Sequence, residues 1–143
     1  MSACTFFGHR ECLDLEPKRL MDAVEQQIQQ GVDVFYVGNH GGFDRLVYGC
    51  LKKLRATYPH IRICVVLSRL PSEGSSGEEL SDAMFPQIEG HPKFAVDRRN
   101  RWMIAAADCC LCYVNYTWGG AYKYASLAKR KGLSVSNLGK TPL

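Results

Sequence analysis

The chain has 143 residues, 46% hydrophobic and 22% charged, a composition typical of one globular domain that buries its own core. No apolar run approaches the roughly eighteen residues that a membrane-spanning helix needs, and the first residues lack the basic start of a secretory signal. The net charge of +4 does not form the dense basic stripe of a typical nucleic-acid binder. We therefore expect a single cytoplasmic domain over residues 1–143 that has no membrane partner.

Hydrophobic periodicity predicts strands that alternate with helices. In chain order the expected elements are a strand at 3–7, a helix at 16–30, a strand at 32–37, a helix at 43–58, a strand at 61–67, a helix that Asp97 caps and that runs to about 107, a strand at 109–114, a helix at 122–131 and a strand at 134–138. Such alternation indicates βαβ units. The predicted fold class is therefore α/β, an open parallel sheet of about five strands with helices on both faces.

One segment, 68–95, interrupts this alternation. It is rich in proline, glycine and serine, with acidic residues between them. Loops of this length inside a compact domain are usually functional or mobile. A lid, an oligomer contact and a surface excursion without a role are the three interpretations that the sequence leaves open.

The seven cysteines do not indicate a disulfide framework, because their number is odd and three of them lie within one apolar strand. A metal site built from Cys4, Cys64 and the cluster at 109–112 is the alternative. Its spacing matches no zinc pattern, and the histidines lie elsewhere in the sequence. We expect buried, reduced thiols, with no metal and no cofactor.

Three glycine-containing polar turns follow predicted strands: 8–10, 38–44 and 115–120. The third joins an apolar strand to a helix through Gly119 and Gly120, an arrangement that directs backbone N–H groups at an anion. In open parallel sheets, ligands bind at the carboxyl ends of the strands. If the strands at 3–7 and 109–114 are neighbours, the first and third turns face each other across one crevice.

The polar residues of these turns each have a structural alternative. His9 and Arg10 suit a phosphate or carboxylate, or they form structural hydrogen bonds at a strand end. Asp44 either accepts a ribose hydroxyl or favours a helix N-terminus through the dipole. The cationic run at 98–101 suits a nearby anion or a solvated turn. Tyr116, Trp118 and Tyr122 stack on a base or pack internally.

Three motifs together resemble a known family: Thr5-Phe6-Phe7-Gly8-His9-Arg10, Val37-Gly38-Asn39-His40-Gly41-Gly42-Phe43-Asp44, and Arg99-Asn100-Arg101-Trp102-Met103 with the 118–122 turn. They are similar to the SLOG superfamily of Rossmann-like domains, in particular its small single-domain bacterial branch, and they imply a bacterial or phage protein. The superfamily includes the Lonely Guy phosphoribohydrolases, the DprA-type DNA-processing proteins and sensors of nucleotide-derived second messengers. The resemblance covers most of the chain outside 68–95.

The turn departs from the Lonely Guy pattern at one position. In that family the Gly-Gly turn continues to a glutamate that serves cleavage of the N-glycosidic bond, whereas Ala125 stands at the matching position here. Acid–base assistance would have to come from another group, such as Asp44. The sequence therefore favours binding over turnover.

The resemblance implies a domain that binds a nucleotide or a nucleotide-derived signal, such as an ADP-ribose-type or cyclic nucleotide, as a sensor or a sequestering protein. The residues expected to hold phosphate are Gly8, His9, Arg10, Gly119 and Gly120, and those expected on the ribose side are Asn39, Gly41, Gly42 and Asp44. Trp118 or Tyr122 is expected to contact the base. The remaining expected ligand-binding residues are His40, Arg99, Asn115 and Thr117. One alternative is a phosphoribohydrolase or nucleoside transferase that uses Asp44, and a second is single-strand DNA binding. We also expect a homo-oligomer, with an interface on the helix around Phe43 and Tyr48.

Overall fold

A computed structural model describes residues 2–70, 81–86 and 88–143, and it has the predicted α/β fold class. The strands are β1 (Ser2–Gly8), β2 (Val32–Val37), β3 (Arg62–Val66), β4 (Ala83–Met84), β5 (Cys109–Tyr113) and β6 (Ser134–Asn137). The helices are α1 (Pro17–Gln29), α2 (Gly41–Thr57), α3 (Ala95–Ala106) and α4 (Gly119–Arg130), and a 3₁₀ turn (Pro92–Phe94) precedes α3.

The strands form one parallel sheet in the order β4-β3-β2-β1-β5-β6. From β1 the chain builds outwards through β2 and β3, and it then crosses to the other side of β1 for β5 and β6. Strand β1 therefore pairs directly with β5, with Gly8 opposite Tyr113. This neighbourhood places the crevice of a doubly wound sheet at the carboxyl ends of β1 and β5.

Helices cover both faces of the sheet. Alternate residues of β1 point to opposite faces, so that Phe6 packs in the core beneath α1 and α2 while Phe7 packs in the core beneath α3 and α4. The cores are close-packed, and Phe6 and Phe35 stack with their ring centroids 6.1 Å apart. Both strand faces being buried explains why the strands read as continuous apolar runs.

All seven cysteines are free thiols, and five of them are buried. Burial raises the pKa of the Cys4 thiol, so this thiol stays protonated in the core. Within residues 2–70, 81–86 and 88–143, no three His, Cys, Asp or Glu side chains are grouped as metal ligands. Over the same residues, no helix has the length and apolar character needed to cross a bilayer.

The structure corrects three expectations. Asp97 does not cap α3, which begins two residues earlier at Ala95; its carboxylate instead accepts hydrogen bonds from the Tyr124 hydroxyl (2.6 Å) and Arg101 Nε (3.0 Å). A sixth strand, β4, lies inside the segment predicted as a loop. Phe43 is wholly buried, so it cannot belong to a surface interface, and the expected homo-oligomer stays a prediction.

The described part of the 68–95 segment packs against the sheet edge. Asp82, just before β4, accepts hydrogen bonds from both terminal nitrogens of Arg55 at 2.9 and 3.2 Å and from the Tyr48 hydroxyl at 2.8 Å. These contacts attach the segment to α2. Residues 71–80 and 87 of the predicted loop lie outside the described residues.

Candidate functional site

A cleft of about 470 Å³ opens at the carboxyl ends of the central strands. Eight predicted site residues line it: Gly8, His9, Arg10, His40, Asp44, Arg99, Gly119 and Gly120. Nine further residues complete its walls: Phe6, Phe7, Glu11, Val96, Asn100, Met103, Tyr116, Ala121 and Tyr124. The first and third glycine turns therefore do face each other across one crevice.

The N-terminus of α4 forms one wall of this cleft. Gly119 takes the left-handed conformation (φ +84°) that allows the chain to enter the helix from β5. No side chain caps the helix at Trp118, and its first turn carries no acidic residue. Among the described residues, no atom outside the adjoining chain and the helix backbone would lie within 4 Å of a Cβ placed on Gly120. Backbone N–H groups and the positive end of the helix dipole thus face open space, which is the geometry of an anion site.

The β2–α2 turn also begins a helix with two glycines, but here the backbone of Arg10 occupies the space at the helix N-terminus. The Gly42 N–H donates to the Arg10 carbonyl at 2.8 Å, and a Cβ on Gly42 would lie 2.5 Å from that oxygen. Gly41 has φ +88° and packs against the Arg10 backbone and side chain. Gly41 and Gly42 therefore lie outside the cleft and hold the 8–10 turn in place, instead of lining a ribose site as predicted.

Arg99 is buried (4% exposed), and it joins three elements. Nε donates to Asn100 Oδ1 at 2.7 Å, and Nη1 donates to the Val66 carbonyl at 2.8 Å and to Asn39 Oδ1 at 3.2 Å. Nη2 donates to His40 Nδ1 at 3.1 Å. A guanidinium has five N–H groups, and these hydrogen bonds use most of them. Arg99 therefore has little capacity to bind a ligand, and its main role is to join β3, the β2–α2 turn and α3.

Arg10 contrasts with Arg99. It is exposed, its side chain lies over Gly41, and it lines the cleft. Its guanidinium takes part in none of the side-chain hydrogen bonds or ion pairs formed among the residues that the structure describes. A planar fork of donors that lines the same cleft as the N-terminus of α4 is suited to phosphate.

His40 and Asp44 form the floor of the cleft on the β2 side. Because Nδ1 of His40 accepts from Arg99, its proton is placed on Nε2; burial, together with the nearby arginine charges, lowers the pKa of this histidine. Asp44 Oδ2 accepts the His40 N–H at 3.0 Å. Burial raises the pKa of the Asp44 carboxyl to about 6, against the opposing effects of that hydrogen bond and of Arg99.

Packing around these groups explains two further glycines. A Cβ on Gly38 would lie 2.8 Å from Asp44 Oδ2 and 3.2 Å from Arg99 Cζ. A Cβ on Gly8 would lie 2.3 Å from the Phe43 ring. Both glycines serve close approach within the protein, so their identity is not by itself evidence of a ligand.

His9 has a structural role that the sequence analysis left as an alternative. Its Nε2 accepts the Asn115 N–H at 2.8 Å, which ties the end of β1 to the turn after β5 and requires a neutral ring. Burial also lowers the pKa of His9, which likewise favours the neutral ring. His9 therefore offers the cleft no fixed positive charge, and Arg10 is the cation of this turn.

An aromatic stack continues outwards from His9. The His9 and Tyr116 rings stack with centroids 4.0 Å apart and an interplanar angle of 12°, and Tyr116 and Trp118 stack at 4.2 Å and 24°. Tyr116 lines the cleft, whereas Trp118 lies outside it and is 67% exposed.

Four other predicted residues also lie outside the cleft. Asn39 holds Arg99, and the Asn115 side chain accepts the Lys140 N–H at 2.9 Å. Thr117 is exposed, and Tyr122 packs against the core beneath α4. Asn39, Asn115 and Tyr122 therefore support the architecture around the site.

Helix α3 forms a wall of the cleft that the sequence did not lead us to predict. Val96, Asn100 and Met103 line the cleft together with Arg99, at the i, i+3, i+4, i+7 spacing of one helix face. That spacing was the available signal, but the charges at 98–101 obscured it. Tyr124 also lines the cleft; its hydroxyl donates to Asp97, and burial together with that bond raises its pKa to about 12.

Ala125, at the position matched to the hydrolase glutamate, is fully buried on the face of α4 that packs in the core, and it does not line the cleft. The preceding residue, Tyr124, is the one that reaches it. An uncharged phenol thus occupies this part of the wall.

No protein-family model and no curated protein matches this chain. Among solved structures, it is similar to DNA processing protein A from Helicobacter pylori, with a TM-score of 0.67 and 13% sequence identity. The two share a Rossmann-like fold. The match covers 98% of this chain and 66% of that chain, so this chain spans about two thirds of its structural neighbour. The neighbour's structure was reported for its mode of single-stranded DNA binding.

Proposed function

We propose that this chain is a SLOG-type domain that binds a nucleotide or a nucleotide-derived signal in the cleft, as a sensor or a sequestering protein. The observation that carries the proposal is the N-terminus of α4, where no side chain of the described residues caps the backbone N–H groups of Gly119 and Gly120. Arg10, whose guanidinium has no side-chain partner among those residues, lines the same cleft. Helix N-termini and arginine side chains both bind phosphate in many proteins.

The size and walls of the cleft suit a small molecule of this class. Its volume of about 470 Å³ lies within the range of roughly 300–1,000 Å³ that is typical of small-ligand sites. If the phosphate lies at the N-terminus of α4, two other groups that line the cleft can bind the rest of the ligand: His40 Nε2–H as a hydrogen-bond donor and Asp44 as an acceptor. At neutral pH Asp44 is mostly ionised, since its pKa is about 6, so it can accept hydrogen bonds from ribose hydroxyls.

Binding without turnover is supported by the wall around Ala125. A carboxylate at that position would be needed for cleavage of the Lonely Guy type, and the side chain that faces the cleft there is the phenol of Tyr124. The enzymatic alternative depends on Asp44, whose raised pKa is favourable for a general acid. Release of free base from a nucleoside monophosphate, lost in Asp44→Asn, would establish that alternative; intact substrate after long incubation would exclude it.

The binding proposal is tested by isothermal titration calorimetry with inorganic phosphate, nucleoside mono- and diphosphates, cyclic nucleotides and cyclic ADP-ribose variants. Gly120→Asp is the decisive variant, because Gly120 has space for a side chain and a carboxylate at a helix N-terminus stabilises the helix while repelling phosphate. We expect at least a tenfold loss of affinity with unchanged or increased thermal stability.

Two matched variants control this experiment. Gly120→Asn has nearly the same shape without the charge, so it should retain more affinity than Gly120→Asp. Gly49→Ala changes a glycine within α2 that also has open space around it, and it should bind as the wild type does. No binding by the wild type to any member of the panel would overturn the proposal, as would equal binding by Gly120→Asp.

Single-stranded DNA binding is the second candidate, and the likeness to DNA processing protein A favours it. The same α4 N-terminus and Arg10 would then contact a backbone phosphate. Fluorescence anisotropy with a labelled oligo-dT distinguishes the two candidates, since DNA binding falls steeply with salt. Oligonucleotide affinity exceeding that of every free nucleotide would make this candidate the preferred function.

A further inference from the structure

We propose that Trp118 is a stacking platform for a nucleobase that lies outside the cleft. This inference rests on the proposed function, because the base is carried by a ligand whose phosphate sits at the N-terminus of α4. It adds a second subsite, and it fixes the chemistry of the group bound there as a planar aromatic base.

Contacts with neighbouring rings hold the Trp118 indole in a fixed position. Trp118 is the N-cap residue of α4, and one of its faces stacks on Tyr116, which in turn stacks on the buried ring of His9. His9 is held by the Asn115 N–H. The row of three rings is therefore anchored at its inner end, and a ring that is already ordered loses little side-chain entropy on binding.

The Trp118 side chain is also unusually exposed for its size. Trp118 is 67% exposed, although large apolar side chains are usually buried or at interfaces. Because Tyr116 covers the inner face of the indole, the exposed surface includes the face that points away from the stack. A planar ring placed there would extend the stack from three rings to four.

Trp118 lies next to the proposed anion site in the chain. Trp118 directly precedes Gly119 and Gly120, whose N–H groups begin α4. A base on the outer face of Trp118 is thus adjacent in the chain to the proposed phosphate position. Tyr116 separates this face from the interior of the cleft, so a nucleoside inside the cleft and a base on Trp118 occupy different places.

Two sources could supply such a base: a free nucleotide whose base turns outwards, or a nucleotide chain that continues out of the cleft. The shared chemistry is a purine or pyrimidine attached to a phosphate. Three ligands separate the sources, namely a nucleoside monophosphate, a dinucleotide and a short oligo-dT. Stacking seen with all three indicates an outward-turned base, and stacking restricted to the longer ligands indicates a continuing chain.

The experiment uses tryptophan fluorescence in a Trp102→Phe background. The chain has two tryptophans, and Trp102 packs edge-on against Tyr36, so this conservative change leaves Trp118 as the only indole. Stacking of a base should quench its fluorescence in a saturable manner. Inorganic phosphate, which has no base, should bind without such quenching.

A matched pair of variants tests the energetic contribution. Trp118→Leu keeps an apolar side chain and removes the ring, and we expect about a tenfold loss of affinity for base-carrying ligands with unchanged affinity for inorganic phosphate. Trp118→Phe should recover part of the loss. Phe94→Leu alters another exposed aromatic residue that lies outside the stack, and it should have no effect.

The outcomes separate this inference from the proposed function. If nucleotides bind in a Gly120-dependent way while Trp118→Leu binds them normally and Trp118 fluorescence does not change, the platform is overturned and the cleft proposal stands. If neither phosphate nor any nucleotide binds, both proposals are overturned. An equal loss of phosphate and nucleotide affinity in Trp118→Leu would mean that the ring only supports the turn, and it too overturns the platform.

Discussion

Two turns of this chain begin a helix with a pair of glycines, yet they differ in what occupies the helix N-terminus. At α2 the Arg10 carbonyl accepts the Gly42 N–H and the Asp44 carboxylate accepts the His40 N–H. At α4 no side chain of residues 2–70, 81–86 and 88–143 caps the helix, and none of their atoms fills the space beside Gly120. A glycine pair in sequence therefore indicates close approach, but only the surroundings decide whether the approaching group is the protein itself or a ligand.

The two arginines differ in the same way. Arg99 uses its N–H groups in internal hydrogen bonds around the β2–α2 turn, whereas Arg10 lines the cleft and its guanidinium has no side-chain partner among the described residues. Mutations should accordingly separate into those that affect stability and those that affect binding.

The largest effect on stability is expected for Arg99→Met. It removes the donors to the Val66 carbonyl, Asn39 and His40, and unsatisfied buried acceptors cost about 1–3 kcal/mol each. We expect the free energy of unfolding in urea to fall by about 3 kcal/mol. The neighbouring Arg98 provides the control, because its one hydrogen bond within the described part of the chain goes to the exposed His91 carbonyl: Arg98→Met should change stability by less than about 1 kcal/mol. Equal losses in both variants would contradict the role assigned to Arg99.

Gly42→Ala should be the next most damaging. Its Cβ would lie 2.5 Å from a backbone oxygen, and such overpacking costs about 1–3 kcal/mol. Gly120→Ala, at the open turn, should leave the free energy of unfolding unchanged within about 0.5 kcal/mol or raise it slightly. Thermal unfolding of the two proteins side by side measures the difference. A destabilised Gly120→Ala would show that the α4 N-terminus is as closed as that of α2.

Asp44 should give a pH-dependent contribution to stability. Its pKa is about 6 in the folded protein against an ordinary value of 3.8, so between these pH values the native state binds a proton that the unfolded chain has released. The contribution of Asp44 to the free energy of unfolding should therefore fall as the pH rises from 4 to 6.

The comparison protein for that measurement is Asp44→Asn, which cannot ionise and can still accept the His40 N–H. Relative to the wild type it should gain about 1–2 kcal/mol between pH 4 and pH 7, less than the full linkage value because the carboxyl is partly exposed. Urea unfolding at four pH values measures this difference. A constant difference across the range would mean that the carboxyl is not perturbed.

The smallest expected change in free energy concerns Arg10. Arg10→Gln should leave stability within about 0.5 kcal/mol of the wild type, because its guanidinium has no internal partner among the described residues. Affinity for phosphate-bearing ligands should fall about tenfold, or about 1.4 kcal/mol. Calorimetry on the variant tests this, and unchanged affinity would remove Arg10 from the site.

Much of the fold could be predicted from the sequence, because buried parallel strands and amphipathic helices have distinct periodicities. The pairing of β1 with β5, needed for the crevice, was a condition that the structure meets. Strand β4 could not be predicted, since two residues give no periodic signal. The start of α3 was misplaced because Asp97 resembled a cap, and its partners Tyr124 and Arg101 are recognisable only in three dimensions.

The site was predicted less completely than the fold. The residue types at the strand ends predicted the edge of the sheet at which the cleft opens, but not which groups already had partners. That Gly42 binds the Arg10 carbonyl, and that Arg99 is buried, depends on contacts between distant segments. Such contacts distinguish a closed turn from an open one, and neither composition nor spacing records them.

The central claim is that the N-terminus of α4, and not that of α2, is the anion site. Amide chemical shifts of the ¹⁵N-labelled protein, titrated with inorganic phosphate and then with a nucleoside monophosphate, test it residue by residue. We predict saturable shifts of the Gly119, Gly120 and Ala121 amides while Gly41 and Gly42 stay unchanged. Shifts centred on Gly41 and Gly42, or none at either turn, would contradict the account.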